Sequence, residues 1–255
     1  MVKIKSNAQM DAMREAGRVV GQALAAAREA ADVGVSLTEL DAAAREILFK
    51  AGATSPFLDY HPEFAPVPFP ATACISVNDA IVHGIPDGYR LRDGDLVSVD
   101  FGALLDGWAG DSAISFTVGR ARPEDVRLVE TAFRALDAGI AAAVVGNRIG
   151  DIAHAIGTVC RGAGYGIPDG FGGHGIGRHM HEDPAVPNEG RAGRGMVLRH
   201  GMVLAIEPML IADGSDAYYP AADGWTLRSL SGARAAHAEH TVAVTDAGPR
   251  ILTLP

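Results

Sequence analysis

Leu96-Val-Ser-Val-Asp100-Phe-Gly-Ala-Leu-Leu105-Asp-Gly-Trp108-Ala-Gly-Asp111-Ser-Ala-Ile-Ser-Phe-Thr-Val118 decides how the chain is read. Two short apolar runs flank Asp106-Gly107, a dipeptide that signals a two-residue hairpin turn. With that loop, Leu105 pairs with Trp108, Asp100 with Ala113 and Asp111 with Gly102. Side chains alternate faces along a strand, so Asp100 and Asp111 become diagonal neighbours on one face. A three-residue loop would put them on opposite faces, and the pair would then be two unrelated surface aspartates. On one face, two carboxylates between apolar strands repel each other unless a cation sits between them.

The pattern occurs twice. Leu91-Arg92-Asp93-Gly94 leads through Val97 and Val99 to Asp100, and Leu198-Arg199-His200-Gly201 leads through Leu204 and Ile206 to Glu207 at a constant offset of 107. His83-Gly84-Ile85 has a counterpart in His174-Gly175-Ile176, and Asp111-Ser112-Ala113 in Glu239-His240-Thr241. Val33-Gly34 and Ala51-Gly52 match Val145-Gly146 and Ala163-Gly164, all offset by 112. Such a repeat implies two similar half-domains, about residues 8–120 and 121–255, packed about a pseudo-twofold axis within a single domain spanning 1–255. Each half brings one histidine and two carboxylates, which places a shared site between them.

Composition narrows the function classes. The chain has 255 residues, 48% of them hydrophobic, and no apolar run long enough to span a membrane. Met1 to Ala16 is mostly polar, unlike a signal peptide. Cys74 and Cys160 make no disulfide framework, so a reduced, cytoplasmic protein is expected. A formal charge of −9 without a basic cluster argues against nucleic acid as a partner. The Gly-rich stretch from Gly164 to Gly177 has no full G-x-G-x-x-G after a strand, so no dinucleotide site is expected.

In chain order, Ser6-Asn7-Ala8-Gln9 is a capping-box pattern, and helical spacing from Met10 gives a helix to about Ala31. Ser36 or Thr38 caps a second helix to about Lys50, stopped by Gly52. Phe57 to Pro70 is aromatic and Pro-rich, which suits an ordered loop. Ala73–Val77 and Ala80–His83 read as strands. Pro123 opens a third helix to about Ala143, and a fourth covers Ile149–Arg161. Met202–Ile206 is a strand stopped at Glu207-Pro208. Ala235–Val244 alternates as one strand with His237, Glu239 and Thr241 on one face, and Ile251–Leu254 reads as the last strand. This order indicates an α+β fold, an antiparallel sheet with two helix pairs on its outer face.

Asp100, Asp111, His174, Glu207 and Glu239 together form an oxygen-rich ligand set suited to Mn, Fe(II), Co or Zn. Four carboxylates would over-charge one ion, so two metals roughly 3.5–4 Å apart, sharing two carboxylates, fit better. His154, His179, His200 and His237 read as structural residues, and His61 as either a packing or a pocket residue.

These residues resemble a known family. His83-Gly-Ile-Pro, Val99-Asp100, Gly110-Asp111, Gly173-His174-Gly-Ile-Gly, His181-Glu-Asp-Pro, Ile206-Glu207-Pro and Glu239-His240-Thr are similar to the motifs of methionine aminopeptidases, over Ala8 to Leu254. The resemblance implies the pita-bread fold and removal of N-terminal methionine from nascent polypeptides, at the ribosome or as free peptides, favouring a small second residue. It also implies two divalent metal ions and a monomer. The short segment between His181 and Glu207, with nothing ahead of Ser6, points to the type I branch. Asp111 and Glu239 would bridge both metals, His174 and Glu207 would complete one, and Asp100 would chelate the other. Glu207 would also shuttle a proton. His181 would hydrogen-bond the scissile carbonyl as it becomes an oxyanion, and His83 would contact the scissile-bond region. Cys74, Phe171, Met180 and Trp225 would line the methionine pocket, where a thioether finds soft, aromatic surroundings.

The chain departs from the family's pattern at the long segment after Tyr60-His61, at Ala109, at Phe171-Gly172 and at His237-Ala238. A prolidase or Xaa-Pro aminopeptidase, which shares fold and ligands, is the alternative enzyme. A ligand-free pita-bread binding protein is the alternative from another class.

Overall fold

The computed structural model describes residues 2–63 and 65–255. Four helices form where their end signals lie: α1 (Asn7–Ala30), α2 (Leu37–Ala51), α3 (Pro123–Ala142) and α4 (Ile149–Gly162). Ser6 and Gln9 close a reciprocal capping box on α1, and Ser36 and Glu39 do the same on α2. Each box satisfies amide groups that the first helical turn leaves without partners. Gly52 ends α2 at φ 67°, in the left-handed region. No helix among the described residues is long and apolar enough to cross a membrane.

The strands are β1 (Ala73–Val77), β2 (Ala80–Val82), β3 (Leu96–Leu105), β4 (Trp108–Thr117), β5 (Gly172–Gly175), β6 (Glu182–Pro187), β7 (Val203–Ile206), β8 (Met209–Ile211), β9 (Tyr218–Pro220), β10 (Leu227–Ser229), β11 (Ala235–His237), β12 (Glu239–Thr245) and β13 (Gly248–Ile251). The main antiparallel sheet runs β1-β3-β4-β12-β7-β5-β6, with β13 on β12. Outward from the β4–β12 seam, β3 and β1 lie on one side and β7 and β5 on the other. This is the mirrored order that the sequence repeat implies. Leu105 faces Trp108, and Asp106 and Gly107 take φ of 51° and 72°. Positive φ at both turn positions is the type I′ hairpin, so the two-residue loop forms and Asp100 and Asp111 share a face.

Alternation on these strands separates core from site. Val97, Val99 and Phe101 of β3 pack beneath α1 and α2. Leu204 and Ile206 of β7, with Val242 of β12, pack beneath α3 and α4. Fully burying each such side chain contributes about 1.5–3 kcal/mol. The intervening residues, including Asp100, Asp111 and Glu239, point to the opposite face.

The seam is stitched largely by hydroxyls. The β4–β12 ladder contains only Glu239 opposite Ala113 and His240 opposite Ser112. Thr241 Oγ1 accepts from the Asp111 amide at 3.0 Å and donates to the Asp111 carbonyl at 2.8 Å. Ser112 Oγ donates to the Glu239 carbonyl at 2.5 Å, and Ser115 Oγ donates to the His237 carbonyl at 2.7 Å and accepts from its amide at 2.9 Å. The backbones under three site residues are thereby fixed.

Several expectations are corrected. Ala235–Val244 is two strands, because β11 pairs with β8 whereas β12 pairs with β4 and β7. The break falls at Ala238, whose amide donates to the Pro208 carbonyl; Pro208, with no N–H, interrupts the partner strand at the same level. The last strand is Gly248–Ile251 and ends where Ile251–Leu254 was expected to begin. Strand β2 forms where Ala80–His83 was expected, but strands β6, β9 and β10 have no sequence signal of useful length. The His83/His174 match does not carry into the topology: His174 lies within β5, whereas His83 follows β2 in the smaller sheet, and β1 takes the place equivalent to β5.

Asp41 of α2 ties the long aromatic loop to the sheet. Its buried Oδ1 accepts from the Thr72 amide, the Thr72 hydroxyl and the Ala73 amide at 2.7–2.9 Å, while Arg45 holds Oδ2. Asp41→Ala strands these donors and should cost about 2–3 kcal/mol, the scale of hydrogen bonds to a charged group. Asp41→Asn, which keeps an acceptor, should cost less. Urea unfolding midpoints test this, and wild-type stability of Asp41→Ala would refute the anchoring role.

Candidate metal centre

Five neighbouring strands, β3, β4, β12, β7 and β5, each deliver one side chain to a common point: Asp100, Asp111, Glu239, Glu207 at the end of β7, and His174. His174 Nε2 lies 3.8 Å from Asp111 Oδ2 and 3.6 Å from Glu207 Oε1. Donor atoms of Asp111, His174 and Glu239 all fall within 4.8 Å of one another. His174 Nδ1 faces the Gly175 carbonyl at 2.9 Å. An N–H there fixes the ring and leaves Nε2 with its lone pair turned to the carboxylates, the usual support for a metal-binding imidazole.

The electrostatics of this cluster demand a cation. Burial, with Glu207's charge nearby, pushes Asp100 up to about 7, and burial pushes Glu207 up to about 8. Burial and the neighbouring carboxylates push Asp111 and Glu239 well above the usual carboxylate range. Asp100 Oδ1, Asp111 Oδ1 and Glu239 Oε1 are buried without a hydrogen-bond partner. Orphaned anionic oxygens in an oxygen-rich set, beside an imidazole that burial holds down at about 4 and therefore neutral, are the donor chemistry of a divalent metal centre.

A cavity of about 340 Å³ opens on the cluster. Of the expected pocket residues, Cys74, Phe171 and Trp225 line it, together with His83 and His181. Met180 does not. It packs with Met10, Met13 and Trp108 in a separate apolar cluster, against Gly102 and beside Phe57, on the same hairpin face as Asp100 and Asp111 but outside the cavity lining. Phe57, Tyr60, Phe69 and Met209 line the cavity and were not foreseen as site residues. For Phe57, Tyr60 and Phe69 the signal was the aromatic content of the long loop; Met209, at the start of β8, gave none. That loop is an ordered rim: Trp225 Nε1 donates to the Val67 carbonyl at 2.9 Å, Phe69 packs edge-on to Trp225 at 5.1 Å, and Tyr60 reaches His181 at 5.9 Å. His61 belongs to the loop itself, with Nε2 on the Ala65 carbonyl. His83 takes φ 58°, uncommon for a non-glycine residue and held by Ser76 Oγ on the following amide. Burial pushes its imidazole down to about 4.

His237, expected to be structural, enters the cluster: Nε2 lies 3.4 Å from Glu207 Oε2 and 3.9 Å from Glu239 Oε2. Its place two residues before Glu239 was the available signal.

These shifts set a pH dependence. Between pH 6.5 and 8 carboxylates of the unfolded chain are ionised, whereas metal-free folded Asp100 and Glu207, at about 7 and about 8, still hold protons. The folded state binds more protons, so its stability falls as pH rises through that window. His83 and His174, held down at about 4, act with the opposite sign at lower pH. The melting temperature of chelator-treated protein should fall between pH 6.5 and 8, and Co(II) should flatten the slope by keeping the carboxylates ionised. A flat metal-free profile would contradict the electrostatics described.

Comparison with known proteins places this geometry. The model for metallopeptidase family M24 matches residues 11–246. Methionine aminopeptidase 1 of Mycobacterium tuberculosis is 52% identical over 261 residues, covering 100% of this chain and 96% of the relative. Methionine aminopeptidase of Clostridium acetobutylicum is 43% identical over 255 residues, covering 100% and 99%. The crystal structure of methionine aminopeptidase from Thermotoga maritima superposes with a TM-score of 0.95 at 36% identity, covering 100% of both chains. Prolidase from Pyrococcus horikoshii shares the fold at a TM-score of 0.78 and 24% identity, this chain covering 63% of it. With full-length identity on one side and likeness of fold alone on the other, the chain belongs to metallopeptidase family M24, among its methionine aminopeptidases.

Proposed function

We propose that this chain removes the N-terminal methionine from peptides and nascent proteins whose second residue is small. It is a metal-dependent hydrolase by family. The observation that carries the reading is the juxtaposition, in one cavity, of the buried carboxylate cluster with a soft apolar wall of Cys74, Phe171, Met209 and Trp225. A methionine side chain fits sulfur- and ring-lined surfaces, and its amine and scissile carbonyl then fall beside the carboxylates. Asp111 and Glu239 would hold both metals, His174 and Glu207 would complete one, and Asp100 would hold the other. Bound divalent metal supplies Lewis-acid polarisation and lowers the pKa of water toward neutrality.

The chain's own residues do the rest. Glu207, a carboxyl that burial makes a good proton acceptor near neutral pH, takes a proton at its carboxylate and returns it to the leaving amine. His181, at the cavity mouth beside Tyr60, donates to the scissile carbonyl oxygen as charge develops there. His83, neutral and fixed between Phe171 and Trp225, contacts the scissile-bond nitrogen. The enlarged loop excludes water from the methionine side and shapes entry. The proposed setting is the cytoplasm, acting on emerging N-termini as a monomer.

Met-Ala-Ser should release methionine only with added divalent metal and lose activity with chelator. Leu-Ala-Ser and Xaa-Pro peptides should be poor substrates. Equal cleavage of Leu-Ala-Ser, or preference for Xaa-Pro, would defeat the methionine reading and leave the metal centre standing.

His181→Ala should keep its metal content and lose turnover by roughly 10²–10³-fold, the scale for one oxyanion donor. His174→Ala should instead lose metal, as measured by elemental analysis after gel filtration. Equal metal loss in both variants would make His181 a ligand and undo this division of roles.

A further inference from the structure

The metal set of the preceding reading leaves one buried donor unexplained. His237 is 1% exposed, and its Nε2 has no hydrogen-bond partner among the described residues. A buried ring nitrogen so placed has lost its water without a replacement unless something occupies it. The ring is not idle packing. It faces two carboxylates, at 3.4 Å from Glu207 Oε2 and 3.9 Å from Glu239 Oε2, without an aligned hydrogen bond to either. Donor atoms of Glu207, His237 and Glu239 all lie within 4.8 Å of one another, a second ligand grouping beside that of Asp111, His174 and Glu239. Ligands about 2.0–2.2 Å from one ion stand no more than about 4.4 Å apart, and both His237 distances fall inside that limit, as do the two from His174. The backbone that carries the ring is held in place: Ser115 Oγ binds the His237 amide and carbonyl, and the adjacent Ala238 amide donates to the Pro208 carbonyl.

We propose that His237 Nε2 is a sixth protein ligand of the metal centre, sharing an ion with Glu207 and Glu239. This rests on the five-residue metal set given above and extends it. A second imidazole shifts the donors away from all-oxygen coordination, and so favours Co(II), Fe(II) or Zn over Mn.

Co(II)-loaded protein tests this without reference to activity. Its proton NMR spectrum in water should show two strongly hyperfine-shifted, solvent-exchangeable imidazole N–H signals. His237→Gln, which keeps His174, should show only one. His237→Gln should also bind Co(II) more weakly by calorimetry and lose part of the preference for Co(II) over Mn(II). X-ray absorption of the unmodified protein counts imidazoles independently of any variant's folding, and two across the site are expected. A single exchangeable signal that survives in His237→Gln, or one imidazole by absorption, would overturn the proposal while leaving the five-residue set intact. Failure of the unmodified protein to bind Co(II) would overturn both.

Discussion

Four carboxylates converge in a place that disfavours the charge on each of them. Desolvation pushes all of them upward, repulsion adds to it for Asp100, Asp111 and Glu239, and three of their oxygens have no hydrogen-bond partner among the described residues. Such a cluster persists because the structure holds it from outside. Apolar residues on the opposite faces of the same strands pack beneath the helix pairs, and hydroxyls of Ser112, Ser115 and Thr241 bind the backbone under the charged side chains. The stored repulsion becomes binding energy for a cation, since ionising the carboxylates and coordinating them are one event.

The duplication explains how a small domain gathers so many ligands. A hairpin can bring two carboxylates to one face, as β3 and β4 do with Asp100 and Asp111. Setting a related hairpin-like pair, β7 and β12, against it across the β4–β12 seam doubles the number without lengthening any strand. The symmetry is broken where function differs. On one outer side β5 supplies His174, whereas on the other β1 places Cys74 opposite Asp100. One side of the site thus brings an imidazole to the carboxylates, and the other brings a thiol.

Much of this was legible in the sequence, and the reasons are local. Asp106-Gly107 can hardly be anything other than a tight turn, and once it is, the faces of Asp100 and Asp111 follow. Helix ends were legible because capping boxes are short-range codes. The parts that were not legible depend on tertiary partners. Ala235–Val244 alternates without interruption, and only Pro208 on the facing strand reveals that the ladder must break at Ala238. Met180 has the composition of a pocket residue, but the missing side chain of Gly102 lets it settle among Met10, Met13 and Trp108, beyond the cavity lining. His237 carried a positional hint beside Glu239, and its closeness to Glu207 depends on the separate pairing of β11 with β8.

That same strand break accounts for the chain's distinct chemistry. Were β11 and β12 one regular strand paired throughout with β7, Glu207 could not sit at a strand end with its side chain turned to both His174 and His237. Pro208 removes a donor, Ala238 fills the Pro208 carbonyl, and the two flanking residues, His237 and Glu239, turn toward one centre. The enlarged loop acts on the opposite wall. Asp41 fixes its exit at Thr72 and Ala73, and Trp225 fixes its middle at Val67. Variation there alters the rim without touching the strands that carry the carboxylates. The division is physical: the sheet's hydrogen bonds hold the charged site to a fixed geometry, whereas the loop meets the cavity through ring contacts and the Trp225–Val67 hydrogen bond, so the rim can vary while the strands under the carboxylates stay as they are.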